Sequence, residues 1–254
     1  TIRVGMDKVN DNFTNFKFEG TSFGGSLLIG HSTTGTLSNA QNNVGIGIGS
    51  LDSITSGDNN VAIGYNAGTA ITTSVENILI GSYAGDELST NGRNVAIGAH
   101  ALSSSVAGGR NIAIGYAALS QLEADTNDSY NTAIGNGSGQ NTTTGLQNTL
   151  IGGSTGQNNT TGNYNVAVGY ESLNDNTVGS TNVAVGNFSL NENVRTNANV
   201  AVGQQALQSF VGDGSTANEL TYNTAIGHFA GKEITSGVRN VIVGGLAGDA
   251  LTTG

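Results

Sequence analysis

Three histidines, His31, His100 and His228, are the side chains best suited to metal binding or to acid–base catalysis near neutral pH. Each lies one or two residues after a glycine that recurs along the chain, and several repeats separate them. Metal ligands must converge on one ion, so this wide spacing argues against a metal site within one chain. The sequence contains no Cys, which excludes thiolate ligands and thiol nucleophiles. We therefore predict no catalytic residue, no metal and no cofactor.

Two irregular segments combine carboxylates with tyrosines and are the best positions for ligand recognition. They contain Glu123, Asp125, Asp128 and Tyr130 in the first segment, and Asp213, Glu219 and Tyr222 in the second. Both are insertions in the repeat described below, and insertions of this kind form surface loops. Acids beside a tyrosine could bind a sugar or a cation, although a solvated loop explains them equally well.

A third group of tyrosines shares one place in the repeat, directly after its recurring glycine. These are Tyr65, Tyr116 and Tyr170. An aromatic row can stack on sugar rings, but other residue types interrupt this one. The acids are scattered and do not line a groove, which argues against a polysaccharide-cleaving enzyme.

Charge and hydropathy exclude two further classes of partner. The net charge is −10, and the eight cations are scattered along the chain, so we expect no nucleic-acid binding. No apolar run approaches the roughly 20 residues that cross a bilayer, so we expect no membrane insertion.

The strongest pattern in the chain is a 17-residue period. Ten of the twelve intervals between its recurring glycines are 17 residues long, and the two insertions lengthen the others to 20 and 24. We call these residues the anchor glycines: Gly30, Gly47, Gly64, Gly81, Gly98, Gly115, Gly135, Gly152, Gly169, Gly186, Gly203, Gly227 and Gly244. A period of this size predicts an all-β parallel solenoid of about 13 turns over residues 26–254.

An aliphatic triplet precedes each anchor glycine and predicts a short strand. Val95, Ala96 and Ile97 are an example. Alternation in a strand places Val95 and Ile97 on one face and Ala96 on the other. We expect the outer pair to face the buried side. Four turns have a large middle residue instead, and we expect it to need cover from another chain: Leu28, Leu79, Leu150 and Ile242.

Asparagine occupies the place four residues before the anchor glycine in 12 of 13 turns, and only Ser26 departs. Identical amides stacked at the strand spacing can hydrogen-bond along a column, so we predict a structural ladder rather than a ligand site. Its members are Asn43, Asn60, Asn77, Asn94, Asn111, Asn131, Asn148, Asn165, Asn182, Asn199, Asn223 and Asn240.

The N-terminal segment, residues 1–25, has a different pattern. Apolar residues spaced four and three apart predict a short helical coiled coil or a cap for the first turn: Ile2, Met6, Val9, Phe13 and Phe16. A helical bundle there would set the number and register of chains. Together with the large middle residues, it predicts a homotrimer.

The repeats resemble those of bacteriophage tail fibres. The motif is Asn-Ile/Val-Ala-Ile/Val-Gly-Tyr-x-Ala/Ser-Leu at Asn111 to Leu119 and Asn165 to Leu173, with Asn-Asn-Thr-Thr-Gly at Asn158 to Gly162. Similar repeats occur in bacterial surface proteins that end in a self-cleaving chaperone, and the core is similar to head repeats of trimeric autotransporter adhesins. The resemblance implies a trimeric parallel β-roll that attaches to a cell surface.

We therefore expect a non-enzymatic segment of a trimeric tail fibre, located in the virion. Its partners would be two further copies, other fibre or virion proteins, and a host glycan or protein receptor. One alternative is a bacterial surface adhesin of the same architecture, located on the cell surface or outside the cell. Another is ice binding through a polar row of threonine pairs at Thr72-Thr73, Thr143-Thr144, Thr160-Thr161 and Thr252-Thr253.

Overall fold

The protein is described by a computed structural model that covers residues 16–20, 23–30, 37–106, 108–123, 128–214 and 219–253. These residues form strands and turns, with no helix among them. The strands are β1 Phe16–Gly20, β2 Phe23–Ile29, β3 Val44–Ile46, β4 Val61–Ile63, β5 Ile78–Ile80, β6 Val95–Ile97, β7 Ile112–Ile114, β8 Thr132–Ile134, β9 Thr149–Ile151, β10 Val166–Val168, β11 Val183–Val185, β12 Thr196–Asn197, β13 Val200–Val202, β14 Glu219–Leu220, β15 Thr224–Ile226 and β16 Val241–Val243.

One long sheet contains every strand except β12 and β14. From β2 onward its strands are parallel, and each pairs with the strand one repeat away, as Val95 does with Ile112. The predicted parallel solenoid with a 17-residue period is therefore confirmed. Its 13 parallel strands delimit about 12 turns, one fewer than the number of anchor glycines. At a strand spacing of about 4.8 Å the shaft is roughly 60 Å long.

The insertions leave this stack uninterrupted. β7 still pairs with β8 across the first insertion, and β13 pairs with β15 across the second. Each insertion adds a small parallel pairing at the side: the bridge between Gly109 and Asp128, and the two-stranded sheet β12–β14.

The start of the chain differs from the prediction where the structure describes it. Phe16, the last residue of the proposed helical stripe, begins β1, and β1 pairs antiparallel with β2. Aromatic and charged residues alternate from Phe16 to Glu19, a period of two that suits a strand, and Gly20 ends it. The helical alternative is wrong for residues 16–20 and 23–25, and the alternative of a cap for the first turn stays a prediction. Ile2, Met6, Val9 and Phe13 lie outside the described residues.

The predicted orientation of the aliphatic triplet is also wrong. In every parallel triplet from β3 to β15 the middle residue is buried and the outer two are half-buried or exposed. Ala96, for example, has no exposed surface. The core therefore contains the small middle residues, and the larger outer pairs face outward.

Leucines four places after the anchor glycine explain why the middle residue is small. Leu51, Leu102 and Leu119 occupy this place and are fully buried against the alanines. In three of the four turns with a large middle residue, those of Leu79, Leu150 and Ile242, glycine replaces this leucine. A Cβ added at Gly68 or Gly85 would lie 2.8 or 2.9 Å from a methyl group of Leu79.

The same exchange of volume recurs in other turns. Leu150 fills the space beside Gly139 and Gly156, and Ile242 does so beside Gly231. Leu28 is accommodated by Gly45, the middle residue of the next turn. Leu28, Leu79 and Leu150 are thus fully buried within one chain and need no cover from another.

The exchange of leucine and glycine between the two places can be tested by moving the leucine from position 79 to position 85. Leu79→Ala should lower the free energy of unfolding by about 2–5 kcal/mol, because it opens a cavity. Adding Gly85→Leu to that variant should restore part of the loss, since Gly85 has a φ of +55° and Leu102 takes the same place with a φ of 52°. Thermal unfolding followed by circular dichroism measures both effects. Gly85→Leu alone should destabilise, and a double variant no more stable than Leu79→Ala would contradict this account.

Candidate functional site

Each turn of the solenoid has two corners that flank the outward face of its strand. The first corner comes directly after the anchor glycine. The second corner lies five residues before the anchor glycine. The predicted tyrosines Tyr65, Tyr116 and Tyr170 occupy the first corner and are 48%, 56% and 50% exposed. Three turns separate each from the next, so they do not touch one another. Each instead packs against an aromatic ring of a neighbouring turn.

Four consecutive turns form a continuous row of aromatic rings at this corner. It consists of Tyr65, Tyr83, His100 and Tyr116, and we call it the aromatic ribbon. Adjacent ring centroids are 5.3, 5.1 and 6.1 Å apart. The rings of Tyr83 and His100 are nearly parallel, at 8°, whereas those of Tyr65 and Tyr116 stand at 81° and 79° to their neighbours.

The central members of the ribbon were missed by counting places in the repeat. Tyr83 and His100 lie two residues after the anchor glycine, one place later than Tyr65 and Tyr116. Both adopt a left-handed backbone, with φ of 58° and 59°, and so does Asn66 at the equivalent place. A side-chain hydrogen bond with Tyr65 raises the pKa of the Tyr83 phenol above its usual value, and desolvation raises it further.

Two separate pairs of aromatic rings occur further along the same corner. Tyr170 meets Phe188 edge to face, with centroids 5.6 Å apart. A hydrogen bond with the Glu171 side chain is the main reason why the pKa of Tyr170 is raised. His228 stacks on Phe229 at 3.8 Å.

The first insertion brings together three charged or polar groups. Nε of Arg110 lies 2.5 Å from Oδ2 of Asp128, and the Tyr130 hydroxyl donates to the same oxygen over 3.4 Å. The guanidinium also lies over the Tyr130 ring, 5.4 Å from its centroid. Arg110 is thus a partner that the sequence analysis did not assign, and it neutralises Asp128. Glu123 is exposed, and Asp125 lies outside the described residues.

The second insertion shows a looser arrangement. The backbone N–H of Asp213 donates to Oε2 of Glu219 over 3.3 Å, and Glu219 begins β14. Tyr222 is 50% exposed at the corner five places before its anchor glycine, where Tyr130 also lies. The structure therefore joins Asp213 to Glu219.

The asparagine column is almost entirely buried and is bonded from turn to turn. The Oδ1 atom of each asparagine accepts the backbone N–H of the next one, over 2.9 Å from Asn60 to Asn43 and 3.0 Å from Asn131 to Asn111. Most also donate through Nδ2 to a carbonyl 14 residues further on, as Asn94 does to Gly108 over 3.0 Å. The turn that has Ser26 in place of asparagine keeps the hydrogen-bond acceptor, because Oγ of Ser26 accepts the backbone N–H of Asn43.

A second, shorter amide ladder lies seven places after the anchor glycine, where seven other turns have Ile or Leu. Nδ2 of Asn176 donates to Oδ1 of Asn159 over 2.6 Å, and Asn193 donates to Asn176 over 2.8 Å. All three are buried, so part of the core is polar and internally hydrogen-bonded. The loss of apolar residues at this place in four successive turns, from Thr142 to Asn193, was the available sequence signal.

The buried amides should be intolerant of an isosteric change in chemistry. Asn94→Asp replaces a donor with a second acceptor facing Gly108 and Asn77, so we expect a loss of about 3 kcal/mol or more in unfolding free energy. Thermal unfolding of the variant and the unmodified chain measures this loss. Asn59→Asp is the control: Asn59 is exposed and its Oδ1 only accepts from Asn42, a bond that a carboxylate keeps. Equal losses in both variants would contradict a structural ladder.

Asp86 is a carboxylate at a place that other turns use for a donor. The side chains of Thr69, Asn174 and Asn191 lie at the same place, five residues after an anchor glycine. They donate to the preceding turn's carbonyl over 3.1, 2.7 and 2.8 Å. For Asp86 the corresponding carbonyl belongs to Asn66. Oδ1 of Asp86 is buried and has no hydrogen-bond partner. Burial raises the pKa of this carboxyl, with Glu87 adding to the rise.

This mismatch predicts a pH-dependent stability. The folded-state pKa of Asp86 is raised above its unfolded value. The contribution of this carboxyl to the free energy of unfolding is therefore fully present below the unfolded pKa and is lost as the pH rises through the folded pKa. Asp86→Asn should therefore stabilise the protein at neutral pH by about 1 kcal/mol, since an amide can donate to Asn66, and should change little in acid. Thermal midpoints measured from acid to neutral pH test this. Glu192→Gln removes one exposed charge and should leave the midpoint unchanged; a neutral-pH gain no larger than that control's would refute the assignment.

The predicted histidine separation agrees with what the structure describes. His100 and His228 stack on different aromatic rings many turns apart, and His31 lies outside the described residues. Within the described ranges, no three His, Cys, Asp or Glu side chains are grouped so that they could hold a metal ion. The same part of the chain contains no helix of the length and apolarity needed to cross a membrane.

Comparisons with protein-family models, with curated proteins and with solved structures found no match to this chain.

Proposed function

We propose that this chain is a segment of a trimeric bacteriophage tail fibre and attaches the virion to its host cell through a surface glycan or protein. The observation that supports this most is a strip of aliphatic residues on the outside of the solenoid. The strip consists of the first and third residues of the triplets in β3 to β11, β13, β15 and β16. We call it the aliphatic strip.

The aliphatic strip is continuous and only partly shielded from solvent. Ile46, Ile78, Ile112, Val166 and Ile226 are between 36% and 42% exposed, and the other positions contain Val, Ile or Thr. Two rows of such side chains along the shaft cover roughly 60 Å by about 10 Å. Soluble monomers rarely expose contiguous apolar patches beyond a few hundred Å², so the strip favours an interface.

A second copy of the chain is the partner that best fits the strip. The strip repeats at every turn with the rise of the solenoid, and a partner in contact along its whole length must repeat with the same rise. A parallel copy in register satisfies this at each strand. The resemblance to trimeric fibre and adhesin repeats favours three copies.

Such an assembly would work by repetition rather than by one strong contact. Three chains present three equivalent sets of corners along a stiff shaft, so weak contacts with a receptor act together and raise avidity. A bacterial surface adhesin of the same architecture remains the alternative; the neighbouring genes and an export signal in the full gene would distinguish the two.

Hydrogen bonding gives the threonine rows a structural role that competes with ice binding. Oγ1 of Thr72, Thr143 and Thr160, the first members of three of the pairs, donates to the next turn's backbone carbonyl over 3.2, 3.1 and 2.7 Å. These hydroxyls are thus used within the solenoid. A thermal-hysteresis assay tests the ice-binding alternative directly.

The proposed interface can be tested by charging the aliphatic strip. Ile112→Lys should convert a trimer into monomers, because burying three ammonium groups between chains costs far more than the contact contributes. Light scattering with size exclusion measures the mass. Val238→Lys is the matched control: Val238 is 39% exposed, as Ile112 is, but lies off the strip.

Two results would contradict the proposal. The first is an unmodified chain that remains a well-folded monomer in dilute buffer. The second is a stable trimer that does not bind any bacterial cell in a panel when fluorescently labelled, which would leave a spacer role rather than attachment.

A further inference from the structure

We propose that the aromatic ribbon is the saccharide-binding site of the fibre, and that it takes a linear polysaccharide of neutral or amino sugars lying along the shaft. This inference rests on the attachment role proposed above and specifies where and what the shaft binds.

The position of the ribbon along the shaft separates it from the chain-to-chain interface. Any contact between parallel copies repeats at each turn, as the aliphatic strip does. Within the described residues, a run of four successive rings occurs only at the turns of Tyr65, Tyr83, His100 and Tyr116. Further along, the same two places hold the pairs Tyr170–Phe188 and His228–Phe229, and the turns between have small or polar residues, among them Asn136, Gly153, Ser154 and Gln204. A local feature on a periodic surface points to a ligand.

The geometry of the rings suits a chain of pyranoses. The C–H face of a pyranose packs on an aromatic ring, and its hydroxyls bond to polar groups at the ring's rim, as a phenol or an imidazole provides. Tyr83 and His100 stack on each other with centroids 5.1 Å apart, so a sugar would meet their edges and polar groups, whereas the rings of Tyr65 and Tyr116 stand nearly perpendicular to that stack and are left to pack on a sugar face. Tyr65 and Tyr116 are about half exposed at the two ends, three turns or about 14 Å apart.

The charges around the ribbon limit which sugars can bind there. Asp86 and Glu87 follow Tyr83 in the same turn, and the chain as a whole has a net charge of −10. No described Lys or Arg contacts the four rings. Phosphorylated, sulfated or uronate-rich chains would be repelled, whereas neutral sugars would not and amino sugars would be attracted.

Substitutions that the solenoid already uses can remove the ribbon. Tyr65→Asn and Tyr116→Asn copy Asn136 and Asn187 at the equivalent place. Tyr83→Asn and His100→Asn copy Asn66, which has the same left-handed backbone. The control is Tyr164→Gln, an exposed tyrosine of the opposite corner whose equivalent in the preceding turn is Gln147.

The intact protein, the quadruple ribbon variant and the control are applied to an array of bacterial surface polysaccharides and oligosaccharides, and their oligomeric mass is measured in parallel. We expect the unmodified protein and the control to bind a set of neutral or amino-sugar chains. The ribbon variant should bind them about tenfold less or not at all, with an unchanged mass. A Tyr65→Asn/Tyr116→Asn variant keeps the central stacked pair and should lose saccharide binding to an intermediate extent. This double variant replaces the quadruple variant in the test if the quadruple variant does not fold.

Three outcomes would overturn the inference. The first is a ribbon variant that binds saccharides as strongly as the control does. The second is a change of oligomeric mass on loss of the rings, which would assign the ribbon to the contact between chains. Binding to bacterial cells without binding to any saccharide of the array would also overturn it, while the attachment role stands. Binding to neither cells nor saccharides is the distinct failure of the attachment role itself.

Discussion

The structure depends on one constraint: every turn must place its hydrogen-bonding groups at the same height and angle as the turn before it. The anchor glycines show how little freedom this leaves. A Cβ added at Gly98, whose φ is +135°, would lie 2.4 Å from the carbonyl oxygen of Gly115 in the next turn. Only a residue without a side chain permits this approach. Once that contact and the strand pairing fix the rise, equivalent residues must form columns.

Different columns have different roles in the molecule. The asparagine column satisfies buried backbone groups at the corner, and the middle residues of the triplets fill the core beside the leucines. The outer residues of the triplets are left facing outward as the aliphatic strip. The corner after the anchor glycine is left free to vary, and there the aromatic ribbon occurs. The residues that stabilise the fold and those of the proposed recognition site thus occupy different places in the same 17 residues.

The sequence predicted the architecture well because the period, the triplets and the recurring glycines all indicate the same parallel solenoid. It did not predict which face of the triplet is buried. Alternation around Ala96 defines two faces, and hydrophobicity favoured the side of Val95 and Ile97. The interior is narrow, however, and Leu102 already fills it from across the turn. The signal that could have settled the matter is the exchange between columns, in which glycine replaces leucine beside Leu79 and Leu150.

The candidate site was predicted in part for a related reason. Counting places in the repeat identified Tyr65, Tyr116 and Tyr170 as members of one column, but contact between rings depends on side-chain reach as well as on register. Tyr83 and His100 belong to the adjacent column and complete the ribbon from there. In the first insertion, Arg110 lies before the extra residues in sequence and reaches Asp128 through space.

The exchange of volume in the core also limits how such a shaft can grow or shrink during evolution. Leu79 spans two turns, because the space it fills is opened by Gly68 in one and Gly85 in the other. A recombination event that duplicated or excised a single unit at this point would leave either a void or a steric collision. The heritable module here is therefore a pair of adjoining repeats, whereas the uniform leucine-bearing stretch around Leu173, Leu190 and Leu207 can change length one unit at a time.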